Sequence, residues 1–381
     1  MRRESLTHKL TVCLVSATLM LSFTGLFISG CGSSPWTNII LSSPKGTGGR
    51  AFAFDQARNI LYAGGGGVAR CTTPDTDPTW TAMVGGTKVE DVTSVAYDPS
   101  HDVLYAAASA GVYSCADPER SASWKTTNGV GANFALAYDS SHNILYAGTR
   151  AGVYRCTNPE SAPSWAHTGG GVDGSTVSSL IYDPAHDVLY AGTDSQGIGI
   201  WRYQGDTWTN TDRDFAKSKT IGSSGDLAYD ATHNILYATA ESSHEIDNTN
   251  SRKGVLRCTE PDTDPTWTSV SGQLGSFIIG ALAYDQATNT LYAGAYVWEP
   301  PPLLEMNGPE PKLNTRSTGV WAGANPDTNA TWTDTGGGVS KQGIGGLIFE
   351  GGALYAAASG VRDYEDPQTP VTGAGVWRYK K

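Results

Sequence analysis

Short apolar runs and polar punctuation alternate along this chain in a pattern that repeats. The clearest copy, at 135–165, reads ALAYDSSHNILYAGTRAGVYRCTNPESAPSW. Its plan is Leu-Ala-Tyr-Asp, a turn, Leu-Tyr-Ala-Gly-Thr, a loop, Gly-Val-Tyr-Arg-Cys, a second turn and a Trp. The aromatic before the first turn recurs at Phe54, Tyr97, Tyr138, Tyr182, Tyr229, Tyr284 and Phe349. The aromatic of the second run recurs at Tyr62, Tyr105, Tyr146, Tyr190, Tyr237, Tyr292 and Tyr355. Each run is short, rich in Val, Leu, Ile, Tyr and Trp, and bounded by Gly, Pro, Asp or Asn, which is how strands read. No stretch after the leader holds a helical period over three turns. Asp-Pro-Ala-His-Asp at 183–187 places Pro where its fixed φ suits a bend. A repeat of about 40–45 residues with four strands per copy predicts an all-β, seven-bladed β-propeller of four-stranded antiparallel blades.

The pattern also predicts how the ring closes. The last copy ends at Gly375-Val-Trp-Arg-Tyr379 with no fourth segment, and an unassigned Trp segment stands near the other end, at 35–39. The N-terminal strand is therefore expected to complete the last blade and remove its open edge. Trp36, Trp80, Trp124, Trp165, Trp208, Trp267 and Trp332 then supply one fourth-strand Trp per blade.

The stretch Leu189–Thr193, then Gly197–Tyr203, then Asp206-Thr-Trp208 resembles the BNR or Asp-box repeat of sialidase-like propellers. The resemblance covers about residues 35–381 and implies the propeller architecture. At 73–80 this chain has Pro78 before the Thr-Trp pair, where the Asp-box pattern has Gly.

Residues 1–30 read as a lipoprotein signal peptide: Arg2, Arg3 and Lys9, an apolar run from Leu10 to Ile28, then Ile28-Ser29-Gly30-Cys31. That last tetrad matches a bacterial lipobox, so Cys31 is the expected lipidated residue, 31–35 a tether and 36–381 the propeller. Gly32, where an Asp would favour inner-membrane retention, points to the outer membrane if the source has one. At about 3.5 Å per residue the tether reaches under ~20 Å, which holds the propeller at the membrane surface. The location predicted is thus exported and anchored to the bacterial cell envelope.

Charge narrows the partners. The chain carries 26 Lys plus Arg against 37 Asp plus Glu, a formal net charge of −11. Loss of the leader makes it more acidic. Nucleic acid needs the opposite sign and is not an expected partner, and the lipid is the expected link to the membrane. Cys71, Cys115, Cys156 and Cys258 occupy one equivalent position in four blades, too far apart to bridge, and are expected as buried apolar residues. No C-x-x-C or H-x-x-x-H spacing supports zinc and no turn has a calcium-loop ligand set, so no metal or other cofactor is expected. Asp98, Asp139, Asp183, Asp230 and Asp285, with His101, His142, His186 and His233, recur as turn framework.

Subtracting the framework leaves a short list. Of 11 Trp, only Trp298 is off the pattern, and of 18 Tyr, only Tyr296 and Tyr364. All three lie between the second and third strands of blades six and seven, and blade five adds an insertion at 241–253. These insertions open on one face, with Phe134, Phe215 and Phe277 in the nearby links. The expected ligand-binding set is Trp298, Tyr296, Glu299, Tyr364, Arg362, Asp363, His244 and Glu245, aromatic planes among acceptors suited to a sugar ring or a peptide side chain. The expected function is a monomeric, non-enzymatic binding or scaffold module for a glycan or an envelope protein, with no catalytic residues assigned. Two alternatives stand beside it. One is a sialidase-like or glucanase-like glycoside hydrolase using loop carboxylates, whose arginines would have to come from Arg252, Arg316 and Arg362. The other is a purely structural envelope component.

Overall fold

The computed structural model describes residues 35–39, 51–131, 133–194, 199–211, 226–240, 254–296, 319–340, 342–358 and 375–380. Its strands form seven four-stranded antiparallel sheets. Blade one is β2 (Ala51–Asp55), β3 (Ile60–Gly64), β4 (Val68–Cys71) and β5 (Trp80–Ala82); blade two is β6 (Val92–Asp98), β7 (Val103–Ala108), β8 (Gly111–Ala116) and β9 (Lys125–Thr126). Blade three is β10 (Asn133–Asp139), β11 (Ile144–Thr149), β12 (Gly152–Thr157) and β13 (Ser164–His167); blade four is β14 (Thr176–Asp183), β15 (Val188–Asp194), β16 (Gly199–Gln204) and β17 (Thr207–Asn210). Blade five is β18 (Leu227–Asp230), β19 (Ile235–Ala240), β20 (Gly254–Thr259) and β21 (Thr266–Ser269); blade six is β22 (Ile278–Asp285), β23 (Thr290–Tyr296), β24 (Gly319–Ala324) and β25 (Thr331–Asp334). Blade seven is β26 (Ile344–Glu350), β27 (Ala353–Ala358), β28 (Gly375–Tyr379) and β1 (Trp36–Asn38).

The N-terminal strand closes the ring as its sequence implies. Trp36 pairs with Tyr379 and Asn38 with Trp377. The second strand of each blade is apolar along nearly its whole length because both its faces are covered by neighbouring blades: β3, β7 and β27 are buried at every position. The buried apolar side chains fall into seven clusters, and each spans the seam between two adjacent blades. The four repeat cysteines are free and fully buried in these seams. Cys71, Cys156 and Cys258 each stand opposite a second-strand Leu on one side and a fourth-strand Trp on the other. Burial pushes the Cys115 and Cys156 thiols up to about 11, so they are inert apolar fillers rather than nucleophiles.

Polar bonds run round the ring at two radii. Every repeat Trp donates its indole N–H backwards to the preceding blade: Trp80 to Ile39 O at 2.7 Å, Trp124 to Met83 O at 3.0 Å, Trp267 to Thr211 O at 3.1 Å and Trp332 to Val270 O at 2.8 Å. Trp165, Trp208 and Trp36 use a threonine hydroxyl instead, on Thr127, Thr168 and Thr335. Third-strand arginines reach forwards. Arg70 donates to Pro118 O, Arg202 to Pro261 O and Asp262 O, and Arg257 to Pro326 O and Asp327 O. Arg378 donates to Pro74 O at 2.5 Å and so ties blade seven to blade one. Trp36 is buried in the closing seam, whereas Trp80 is only half-buried. Trp36→Ala is therefore expected to cost about 3–5 kcal/mol of stability, and Trp80→Ala distinctly less. Urea denaturation of the two variants checks the order.

Candidate functional site

A four-stranded meander has two ends. The first–second and third–fourth turns open on one face of the ring. The second–third connections and the links into each innermost strand open on the other.

On the first face the chemistry is held by the fold itself. The Asp that ends each of the first six innermost strands is buried, and one oxygen caps its turn. Asp98 Oδ1 accepts from Ser100 N at 2.8 Å and His101 N at 3.2 Å, and Asp139 and Asp230 cap their turns in the same way. The second oxygen meets the side chain three residues on: His101, His142, His186 and His233 through Nδ1 at 2.6–2.8 Å, and Arg58 through a guanidinium nitrogen at 2.8 Å. These carboxylate partners raise the pKa of all four imidazoles. The first-strand Tyr of the next blade then joins the same carboxylate: Tyr229 to Asp183 and Tyr284 to Asp230, both at 2.7 Å, and Tyr97 to Asp55 at 3.1 Å.

The exceptions follow from the same bonds. Phe349 comes after blade six, where Thr288 Oγ1 stands in place of the His or Arg as the donor to Asp285 Oδ2. Phe54 comes after blade seven, where the turn is shortened to Gly351-Gly352, both at positive φ, and carries neither His nor Arg.

The second face is organised by one glycine per blade. Gly152, Gly254, Gly319 and Gly375 open their third strands at positive φ. A Cβ on Gly152, Gly254 or Gly319 would meet the backbone of the link to the next blade at 3.0–3.1 Å. The connection before this glycine is two residues long in blade two (Ser109-Ala110, between Ala108 and its partner Gly111) and in blade three (Arg150-Ala151, between Thr149 and its partner Gly152). In blades five, six and seven the same corner opens. The ladders stop at Ala240 with Gly254, at Ala295 with Gly319 and at Ala358 with Gly375. These ladder ends of three neighbouring blades stand at one face, and residues 241–253, 297–318 and 359–374, which join them in sequence, lie outside the described residues.

Of the residues singled out in the sequence, Tyr296 ends β23 opposite Ile278 on this face. His244, Glu245, Trp298, Glu299, Arg362, Asp363 and Tyr364 lie outside the described residues, as do Phe215 and Cys31. Phe277 and Phe134 are placed and prove to be packed. Phe277 tilts against Trp321 at 5.9 Å, and Phe134 lies under the Arg150 guanidinium at 5.6 Å. The third-strand Trp201 and Trp377 lie flat over Gly171 and Gly338 of the links, where a Cβ would overlap their rings.

Asp226 went unnoticed in the sequence. It heads the innermost strand of blade five on this second face. Its Oδ2 accepts from Leu282 N of blade six and its Oδ1 from Leu227 N, each at 2.9 Å. Leu282 N is exposed to it by a bulge between Ile279 and Ala281. Ser94 of blade two does the same for Leu136 N of blade three. Desolvation pushes the Asp226 carboxyl up to about 6, with the two amides opposing the shift. The only sequence signal was an acidic residue where the other copies carry Ser, Ala or Gly.

No protein-family model matches this chain, and no curated protein matches it. Solved structures do resemble it. The extracellular domain of a protein assigned as a hybrid two-component system from B. thetaiotaomicron superposes with a TM-score of 0.62 at 13% identity, over 91% of this chain and 40% of that one. The GH74 enzyme of Niastella koreensis gives 0.59 at 16% identity, over 90% and 55%. The GH74 xyloglucanase of Xanthomonas campestris gives 0.58 at 16% identity, over 90% and 53%. At these identities the likeness is one of fold, and this chain spans about half the length of those neighbours.

The Asp226 geometry makes a pH prediction. A carboxyl whose folded pKa is raised is neutral in both states below its ordinary value of 3.8 and ionised in both above about 6. Stability is then lost as pH rises through that window, by an amount on the order of 2 kcal/mol. Asp226→Ser keeps an acceptor for Leu282 and removes the titration. Urea denaturation at pH 4 and pH 7 is expected to show a change in stability between the two pH values that is less favourable in the parent than in the variant by about that amount.

Proposed function

We propose that this chain is an exported, lipid-anchored propeller that binds a glycan, without catalysis, on the face of blades five to seven. The observation that carries the reading is the corner geometry. Two blades close the second–third corner with two residues, while in three consecutive blades the ladder ends at that corner are separated by the longer stretches 241–253, 296–318 and 359–374. On the opposite face the Asp, His, Tyr and Arg side chains of the turns bond one another across the seams. In this reading the Trp298, Tyr296 and Tyr364 side chains stack on sugar rings, and Glu299, Asp363, Arg362, His244 and Glu245 supply the polar contacts. The resemblance of the repeat to Asp-box propellers, and fold neighbours that include a xyloglucanase, favour a saccharide over an envelope protein.

Catalysis is the weaker reading. Asp226 has the raised pKa of a general acid, but both its oxygens accept backbone amides, which suits a staple between blades. Hydrolysis requires two carboxyls flanking the scissile bond.

The leader and Cys31 supply the anchor in this reading. Among the described residues no helix is long and apolar enough to cross a membrane.

The test is a glycan array probed with the purified chain, its Trp298→Ala variant and a variant with 297–317 replaced by a short Gly-Ser link. The expected result is binding that falls at least about tenfold in both variants, as for a lost hot-spot aromatic, at an unchanged melting temperature. Full affinity in Trp298→Ala overturns the site. Separately, Cys31→Ser is expected to move the protein from the membrane fraction to the soluble fraction and to abolish labelling by a radioactive fatty acid.

A further inference from the structure

The seam between blades three and four differs from its siblings. His142 Nδ1 lies 2.8 Å from Asp139 Oδ2, as in every Asp–His turn, but also 3.7 Å from Asp187 Oδ1 of the next blade. One donor atom from each residue falls within 4.8 Å of the others. The turn amides of Ser141 and His142 hold Asp139 Oδ1, Oδ2 faces the imidazole, and the Tyr182 phenol of the next blade also bonds the Asp139 carboxylate. Tyr182 OH donates to Asp187 Oδ1 at 2.9 Å and fixes that carboxylate.

The repeat supplies its own control. The residue after the turn is Asn143, Asn234 and Asn289 in the blades that follow His101, His186 and His233. Each of these amides donates to an acid of its own blade: Asn143 to Glu160, Asn234 to Asp262 and Asn289 to Asp327. Asp187 cannot donate. The one other Asp at this position, Asp102, is answered by Arg58, whose guanidinium reaches Asp55, Asp102 and Glu119 together. Blade three has His142 in place of that arginine, and its third-strand Arg155 is held by Asp206 at 2.6 Å. Two carboxylates therefore share one imidazole and no guanidinium.

We propose that this seam binds one divalent transition metal of the zinc class. The ligands are His142 Nδ1, Asp139 Oδ2 and Asp187 Oδ1, and solvent fills the remaining position. The metal takes the place of the proton between His142 Nδ1 and Asp139 Oδ2; the bound imidazole keeps one proton on Nε2, and the imidazolium form releases its second proton to solvent. A nitrogen donor with two oxygens suits Zn²⁺ better than Ca²⁺ or Mg²⁺, which prefer all-oxygen shells. The site would pin blade three to blade four where the other seams rely on hydrogen bonds, and it does not depend on the loop-face reading.

The experiment is calorimetric titration of the purified, chelator-stripped chain with ZnCl₂, beside CaCl₂ and MgCl₂. The expected result is one Zn²⁺ per chain with a raised melting temperature, and weaker binding of the other two. Asp187→Asn installs the residue that three sibling turns already carry. It is expected to lower zinc affinity at least about 100-fold, abolish the zinc-dependent rise in melting temperature and leave the metal-free melting temperature unchanged. His186→Gln, in a sibling pair, is expected to leave zinc affinity unchanged. Absence of zinc uptake by the parent chain, or equal affinity in Asp187→Asn, overturns the proposal. Should Asp187→Asn lower the metal-free melting temperature, His142→Gln decides, and retained zinc affinity in that variant overturns it as well.

Discussion

No blade of this protein has a core of its own. A single four-stranded sheet leaves two apolar faces uncovered, and each of the seven buried clusters lies between adjacent blades. Burial is therefore complete only when the ring is closed, and everything else follows from that constraint. It explains why the second strands are apolar without alternation. It explains why the indole donors and guanidinium clasps all cross a seam, and why the first strand of the chain belongs to the last blade. The β1–β28 pairing is short, yet it gives blade seven the fourth strand that chain order would otherwise deny it.

Under that constraint the ring's two faces take different roles. At the first–second turns, a buried aspartate has to be satisfied in every copy that has one, and its neighbours adapt to do so. His or Arg three residues on goes with a Tyr in the next blade, and Thr with a Phe. Asn in the left-handed position feeds an acid of its own blade, and Asp there brings the charge problem seen at Asp102 and Asp187. Among the described residues the opposite face has no buried carboxylate recurring at each corner, and its second–third connections differ in length from blade to blade.

Most of the architecture was legible because the repeat averages over local ambiguity. One copy of Leu-Tyr-Ala-Gly-Thr is a weak strand signal, but seven in step fix the blade count, the role of the Trp and the closure through 35–39. The recurrent Asp and Cys were likewise readable as framework from their equivalence alone. What escaped was whatever depends on contact between copies. Asp226 looks like one acid among 37 Asp plus Glu until the bulge in β22 brings Leu282 N against it. His142 looks like its three siblings until Asp187 arrives from the next blade. Phe277 stood out as an off-pattern aromatic, and packing against Trp321 makes it part of the scaffold. Neither a seam nor a packed link has a signature within a single copy.

The glycine that opens each third strand has an evolutionary consequence. Because Gly152, Gly254 and Gly319 fix the chain's re-entry against the following link, what precedes them is decoupled from the sheet. The corner behaves as a socket with a constant rim. Sequence inserted there need satisfy only its own two ends, so its length and composition are free to vary while the ring is kept. The two-residue corners at Ser109-Ala110 and Arg150-Ala151 are then vacant sockets of the same make, open to acquiring new specificities by insertion.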